Sequence, residues 1–200
     1  MDARAEFFGS GSGAISQYVD ILANRGIDWG LIGPREGDRL WERHVLNSVA
    51  GEALFPSGAT VVDVGSGAGL PGIPLAVLRP DLRVTLLESL LRRVNFLELA
   101  VEELGLADRV RVVRGRAEEH RETYDVVTCR AVAPLPRLVD WCAPLLARSG
   151  RLVALKGSTA ADELTQAGAV VRKNGLRGTL HELPVPGTDD TTWAIELGWR

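Results

Sequence analysis

Hydrophobic and polar positions follow different periods in the first 57 residues and in the rest of the chain. Over residues 15–22 and 36–50, apolar side chains recur at the three- and four-residue spacing of helices. Residues 58–200 instead show short apolar runs separated by amphipathic segments. The pattern predicts a helical extension over residues 1–57, with a flexible lead-in at the Gly-Ser repeat 9–13, followed by one compact domain.

The apolar runs of the second region predict strands that alternate with helices. Such alternation indicates a parallel sheet that is covered by helices on both faces. The predicted strands cover residues 60–64, 83–88, 110–113, 125–129 and 151–155, and the predicted helices cover residues 71–79, 94–104, 137–148 and 160–173.

The C-terminal end of the chain breaks this alternation. Residues 176–183 and 191–199 are both strand-like, and no helix separates them. Two such strands can pair only as antiparallel neighbours. The sequence therefore predicts an α/β fold of the Rossmann-like class I methyltransferase type, a seven-stranded sheet whose last strand is antiparallel, preceded by N-terminal helices.

A glycine-rich loop, DVGSGAGLPG at residues 63–72, joins the first predicted strand to the first helix. Ligands of open parallel sheets bind at the carboxyl ends of the strands, and glycine lets a ligand lie against the backbone. We therefore expect Gly65, Gly67 and Gly69 to bind a nucleotide-like cofactor. Asp63 has two candidate roles: it accepts hydrogen bonds from the ligand's ammonium group, or it holds the loop's own amides.

Glu88 is a second candidate for cofactor binding. It ends the second predicted strand, 25 residues beyond Asp63. This is close to the spacing at which an acidic residue binds ribose hydroxyls in nucleotide-binding folds.

The loop also matches the dinucleotide fingerprint GxGxxG at residues 67–72. In dinucleotide-binding folds this fingerprint begins where the strand ends. Here the preceding strand ends at Val64, so a match that begins at Gly67 starts too late. Pro71 and Pro74 also remove helix N–H groups that a pyrophosphate would need. S-adenosylmethionine carries no phosphate and needs no such N–H groups. The position of the glycines relative to the strand end therefore favours this cofactor over a dinucleotide.

Composition and charge narrow the function classes. A net charge of −3 argues against a protein that coats nucleic acid non-specifically, although a local basic face can still dock on RNA. No apolar run reaches the length of a membrane span, and the N-terminus lacks a signal-peptide pattern. With only Cys129 and Cys142, neither a disulfide framework nor a structural metal site is expected. We expect a cytoplasmic monomer with no membrane association.

Taken together, the motifs resemble those of the bacterial glucose-inhibited division protein B family, the small-subunit rRNA guanine-N7 methyltransferases. The resemblance extends over about residues 18–156. Asn47 stands where the family often has aspartate, and residues 29–34 look like the actinobacterial branch. The segments that carry the resemblance are LWERHVLNS at 40–48, VDVGSGAGLPGIP at 62–74, LES at 87–89, GRAEE at 115–119, CRAVA at 129–133 and ALKG at 154–157.

The resemblance implies S-adenosylmethionine as cofactor, with Gly65 and Leu70 in contact with it. It further implies that Ala117 and Glu118 meet the adenine. Arg130 is implied to reach the pocket from the fourth strand, and there it binds RNA phosphate, orients the cofactor or pairs with Glu118. Arg130 is also the nearest candidate for a catalytic residue. No general base is expected, because guanine N7 has a lone pair and no proton to lose, so catalysis would consist of positioning.

The implied partner is 16S rRNA, as naked RNA, a small ribosomal subunit or an assembly particle. Candidate RNA-binding residues are Arg43, His44, Arg137 and Lys156. Each has a structural alternative: the arginines solvate the surface, His44 bonds a nearby loop, and Lys156 forms an ion pair. Trp141 is expected in the core. Two other functions stay open, methyl transfer to another substrate and non-catalytic binding of cofactor and RNA.

Overall fold

A seven-stranded sheet forms the centre of the computed structural model, which describes residues 3–200. Its strands are β1 (Thr60–Val64), β2 (Arg83–Glu88), β3 (Val110–Arg114), β4 (Tyr124–Arg130), β5 (Leu146–Lys156), β6 (Leu176–Pro184) and β7 (Thr191–Trp199). The strand order is β3-β2-β1-β4-β5-β7-β6, and β1 to β5 are parallel. β7 is antiparallel to both of its neighbours, β5 and β6. The predicted class I methyltransferase topology is confirmed.

Helices cover both faces of the sheet. The α-helices are α1 (Ala3–Glu6), α2 (Ser12–Ile21), α3 (Asn47–Val49), α4 (Gly72–Leu78), α5 (Leu91–Glu103), α6 (Leu135–Cys142) and α7 (Ala160–Lys173). Short 3-10 helices lie at Gly9–Gly11, Pro34–Arg39, Glu52–Leu54 and Ala143–Leu145, and π-helical turns at Leu22–Gly26 and Leu40–Leu46. Residues 36–50 are therefore helical as predicted, but mostly in 3-10 and π geometry.

The N-terminal region shares its hydrophobic core with one face of the sheet. Ile15 and Tyr18 of α2 are fully buried in the same cluster as Ile73 of α4 and Leu97 of α5. The Tyr18 hydroxyl donates a hydrogen bond of 2.8 Å to the carbonyl of Ala68 in the glycine loop. The helical extension therefore packs directly behind the loop that borders the candidate site.

The opposite face of the sheet packs against α6 and α7. Val62 of β1 and Val127 of β4 are fully buried there with Leu138 of α6 and Val171 of α7. Two separate cores thus hold the sheet between two helical layers, which fixes the positions of the strand ends.

Two local predictions are wrong. The predicted helix 137–148 ends at Cys142, and β5 already begins at Leu146, because Pro144 removes an N–H from the following turn and the chain then pairs with β4. The segment 9–13 is ordered into a 3-10 helix and the start of α2. A Cβ added to Gly11 would lie 2.6 Å from Val77 Cγ1, so glycine here permits close packing against α4.

Residues 3–200 include no helix that is both long and apolar enough to cross a membrane.

Candidate functional site

The strand order reverses between β1 and β4, so loops at their carboxyl ends diverge and leave space for a ligand. Three cavities lie at this edge, and Ala131 lines all of them. The main cleft, about 350 Å³, lies over β1 and β2 and includes Gly65, Glu88, Ala117 and Glu118. The cationic cavity, about 230 Å³, includes His44, Arg93 and Arg130. The carboxylate cavity, about 360 Å³, includes Lys156, Glu163 and Gln166.

The glycine loop borders two of these cavities. Gly65, Gly67 and Gly69 have φ angles of +68°, +60° and +99°, a region that favours glycine. Gly65 lines both the main cleft and the cationic cavity, whereas Gly67 and Leu70 line the cationic cavity alone. A Cβ on Gly65 would lie 3.0 Å from Val132 Cγ2, and Val132 lines the main cleft, so a side chain at position 65 would crowd the wall of that cleft.

Gly69 does not line any of the three cavities, and its contact with the cofactor stays a prediction. A Cβ at this position would lie 2.5 Å from Ile73 Cδ1 and 3.2 Å from the Tyr18 hydroxyl. Gly69 is required by close packing beneath the loop.

Asp63 is fully buried and also lies outside the three cavities. Its Oδ2 accepts a 3.0 Å hydrogen bond from the Gly72 amide, while Oδ1 has no partner among the described residues. Burial raises the pKa of this carboxyl to about 7. Of the two roles considered, the hydrogen bond from Gly72 shows Asp63 holding an amide of the loop, and its contact with the cofactor stays a prediction.

Glu88 has the position expected for a ribose-binding carboxylate. It is buried at the floor of the main cleft. Its oxygens accept backbone hydrogen bonds from Gly67 (3.1 Å), Ser89 (2.8 Å) and Leu90 (3.0 Å), and an Arg93 nitrogen lies 3.5 Å away. These contacts fix the carboxylate in one orientation while it borders the cleft.

Ala117 and Glu118 also line the main cleft, and their contact with an adenine stays a prediction. Trp141 of α6 lines the same cleft and is half-buried against the hydrophobic core, so it lies at the edge of the core that was expected for it. Sequence reasoning did not identify Arg93 as a site residue. It follows Glu88 by five positions, in the first turn of α5, and this proximity to a strand end is the signal that could have found it.

A hydrogen-bond relay forms the wall of the cationic cavity. The guanidinium of Arg130 donates to His44 Nδ1 at 2.9 Å and to the carbonyls of Arg43 and His44 at 3.3 Å each. Arginine can only donate, so Nδ1 must be the acceptor, and Nε2 carries the proton toward the Glu36 carboxylate 2.9 Å away. Burial is the main cause that lowers the pKa of His44, which favours this neutral form. Pairing of Arg130 with Glu118, one of the three roles considered, is absent from this relay.

Ala131 adopts a left-handed backbone conformation with φ of +53°. Residues other than glycine pay a steric penalty there, and such strain is typical of functional sites. The strained peptide lies at the point where the three cavities meet, so it determines how β4 turns away from the site.

The carboxylate cavity contains a buried ion pair. Lys156 has 10% of its side chain exposed, and its Nζ lies 2.7 Å from Glu163 Oε2 and 3.3 Å from the Ala133 carbonyl. Thr159 donates a 3.2 Å hydrogen bond to the other Glu163 oxygen. Of the two roles considered for Lys156, the ion pair is the one observed, and its contact with RNA stays a prediction.

The other candidate RNA-binding residues differ in how much of each side chain is exposed. Arg43 has 59% of its side chain exposed and lies 3.2 Å from Glu36, and exposed Arg137 lies 5.7 Å from the centre of the Trp141 ring. Both remain accessible next to the cavities. His44 has 16% of its side chain exposed, and both of its ring nitrogens form hydrogen bonds within the chain. The structural alternative is therefore observed, and an RNA contact of His44 stays a prediction.

Solved structures of low sequence identity share the fold. An O-methyltransferase from neocarzinostatin biosynthesis, in complex with S-adenosylmethionine and 2-hydroxy-5-methyl naphthoic acid, aligns with a TM-score of 0.65 at 16% identity, covering 96% of this chain and 70% of that one. The TYW2 protein of M. jannaschii in complex with AdoMet aligns with a TM-score of 0.61 at 16% identity, covering 79% and 76%.

Sequence comparison gives the family. A Thermobifida fusca protein named ribosomal RNA small subunit methyltransferase G is 57% identical over 168 residues, which is 83% of this chain and 70% of that protein. A Salinispora arenicola protein of the same name is 53% identical over 189 residues, 90% of this chain and 78% of that protein. The family model GidB, described as rRNA small subunit methyltransferase G, matches residues 12–181. The chain therefore belongs to the GidB family.

Proposed function

We propose that the chain transfers a methyl group from S-adenosylmethionine to N7 of a guanine in 16S rRNA. The match of the family model over residues 12–181 carries this proposal. The main cleft supports it, because a buried carboxylate, Glu88, lies where a nucleoside-containing cofactor would present its ribose.

The chain's residues fit S-adenosylmethionine along its length. Glu88 would accept hydrogen bonds from the ribose hydroxyls, and Ala117 with Glu118 would border the adenine. Gly65 leaves the gap that a side chain would fill, so the cofactor can pass from the main cleft toward the cationic cavity. There Arg93 and Arg130 offer positive charge for the methionine carboxylate.

The reaction needs positioning rather than proton transfer. When bound, S-adenosylmethionine supplies an electrophilic methyl group on a sulfonium, and the sulfur keeps the electron pair of the S–CH₃ bond as the N7–CH₃ bond forms. Guanine N7 supplies its lone pair and releases no proton, so the chain needs no general base. The fixed walls of the three cavities would hold both reactants in line.

RNA docking is assigned to the surface around the cavities. Exposed Arg43 and Arg137 flank them and can neutralise phosphates. We propose that the helical extension 1–57, which carries Arg43, contributes to docking. We further propose that the chain acts as a monomer, and a ribosomal substrate supports action in the cytoplasm.

Transfer of a labelled methyl group tests the proposal. The chain is incubated with labelled S-adenosylmethionine and unmethylated small-subunit rRNA, small subunits or assembly particles, and the label is mapped by cleavage at N7-methylguanine. We expect label at one guanine. Label only on protein or small molecules would establish another substrate, and cofactor binding without transfer in every assembly state would establish a non-catalytic module.

A further inference from the structure

The carboxylate cavity has no role in binding the cofactor as proposed above. It joins the main cleft at Ala131 and Val132, which line both. Most of its lining is apolar, from Ala133 to Pro136, and its polar groups are Lys156, Glu163 and Gln166. A pocket with apolar walls and a few convergent polar groups is suited to a flat heterocycle that has been turned out of an RNA strand.

The two cavities beside the main cleft differ in the hydrogen bonds they can offer a guanine. Beyond N7 and O6, guanine presents two donor groups, N1–H and the 2-amino group, on its Watson–Crick edge. The charged groups of the cationic cavity, Arg93 and Arg130, are donors and cannot pair with them. A carboxylate accepts from both at once, and Glu163 is the carboxylate that lines the other cavity.

We infer that the carboxylate cavity binds the target guanine and that Glu163 reads its Watson–Crick edge by accepting hydrogen bonds from N1–H and the 2-amino group. This inference rests on the proposed function. Lys156 and Thr159 hold the two carboxylate oxygens at 2.7 Å and 3.2 Å, so the acceptor is oriented before the base arrives. Each oxygen has a further lone pair for the base.

The same carboxylate would favour the reaction itself. Methylation at N7 leaves the guanine with a positive charge, which makes N1–H and the 2-amino group stronger donors. Their hydrogen bonds to Glu163 therefore strengthen as the N–CH₃ bond forms, and an interaction that strengthens in this way raises the rate. Adenine also has N7, but its N1 is an acceptor that would face the carboxylate, so the cavity rejects it.

The test compares Glu163→Gln with wild type on small subunits reconstituted from transcripts that carry either guanine or adenine at the target position. We expect Glu163→Gln to lower methyl transfer to guanine by about 10- to 100-fold. We also expect its guanine-to-adenine rate ratio to fall at least ~10-fold, since a glutamine amide can pair with the adenine edge. Cofactor affinity, measured by calorimetry, should stay at the wild-type value.

Asp162→Asn is the matched control. It makes the same change of charge one residue earlier in α7, on an exposed side chain outside the cavity, and should leave both rates unchanged. Glu163→Gln also leaves buried Lys156 without its partner, so the double variant with Lys156→Met is measured too. The guanine-to-adenine rate ratio does not depend on the fraction of the chain that is folded. The double variant should therefore show the same lowered ratio as Glu163→Gln.

The inference would be overturned if Glu163→Gln kept both the guanine-to-adenine rate ratio and the rate on guanine of the wild-type chain. That result would leave the proposed function intact. A wild-type chain that labels no rRNA would overturn the proposed function, and this inference would fall with it.

Discussion

The cationic cavity and the carboxylate cavity share Ala131 in their linings and lie at the same edge of the sheet. In the first, Arg93 and Arg130 present donors and positive charge, whereas in the second Glu163 presents acceptors beside a neutralising lysine. Similar position in a fold therefore does not imply similar ligands. Under the proposed function, the anionic end of the cofactor lies in the cationic cavity and the base in the carboxylate cavity, so that the reacting atoms meet between them.

The largest effect is expected from a side chain at Gly65, which lines both the main cleft and the cationic cavity. Gly65→Val places a branched side chain at φ +68° against Val132, and we expect cofactor affinity to fall at least ~100-fold by calorimetry. Gly105→Val is the control, because Gly105 has φ +64° with no heavy atom near its Cβ position. Unchanged affinity in a folded Gly65→Val variant would contradict the assignment of this site.

Arg130→Gln tests the cationic side of the comparison. Loss of a charge-assisted hydrogen bond to the methionine carboxylate should weaken cofactor binding about 10-fold. Exposed Arg92 on the neighbouring helix gives the control, Arg92→Gln, with no expected change. If Glu163→Gln weakened cofactor binding more than Arg130→Gln, the two cavities would have to exchange their assignments.

Asp63, which supports the loop at the border of the cationic cavity, gives a pH prediction. Burial raises the pKa of its carboxyl to about 7, so the folded chain favours the protonated form. This contribution to stability is complete at pH values below the ordinary pKa of aspartate and is lost as the pH rises through 7. Asp63→Asn stays neutral, so its Tm relative to wild type should rise by about 3 °C between pH 6 and 8.

Asp81→Asn is the comparison for this pH series. The Arg79 guanidinium lowers the pKa of the Asp81 carboxyl, so both folded and unfolded chains keep it ionised above pH 6. The Tm difference of that variant should not change between pH 6 and 8. A flat difference for Asp63→Asn as well would show that its carboxyl is ionised throughout.

The smallest expected effects lie on the rim of the cavities. Arg43→Ala and Arg137→Ala should each weaken binding of small-subunit rRNA about 3-fold and reduce the salt dependence by about one phosphate contact, with cofactor affinity unchanged. Arg25→Ala, which removes an arginine paired with Glu103 on α5, is the control. Equal loss of RNA and cofactor binding in the rim variants would indicate a folding role.

The glycine loop and Glu88 could be predicted because their chemistry is local. Positive φ angles require glycine, and a carboxylate that ends a buried strand must lie at the ligand edge of the sheet. The same local reasoning did not find the packing of Gly69. A Cβ there would meet Ile73 of α4 and Tyr18 of the helical extension, and Tyr18 is distant in the sequence.

The region after β4 could not be predicted in the same way. Arg130 and His44 are 86 residues apart, and no local pattern indicates their hydrogen bond. Ala131 has φ of +53° without the glycine that usually signals such a turn. The carboxylate cavity depends on how β5 places Lys156 against α7, and the end of α6 before β5 was itself mispredicted.

A crystal structure of the chain with bound S-adenosylmethionine tests the assignment of the two cavities most directly. We expect ribose hydroxyls within hydrogen-bond distance of Glu88, the methionine carboxylate beside Arg93 and Arg130, and the methyl group facing the carboxylate cavity. A methionine carboxylate beside Lys156, with the methyl group directed toward Arg130, would contradict this assignment.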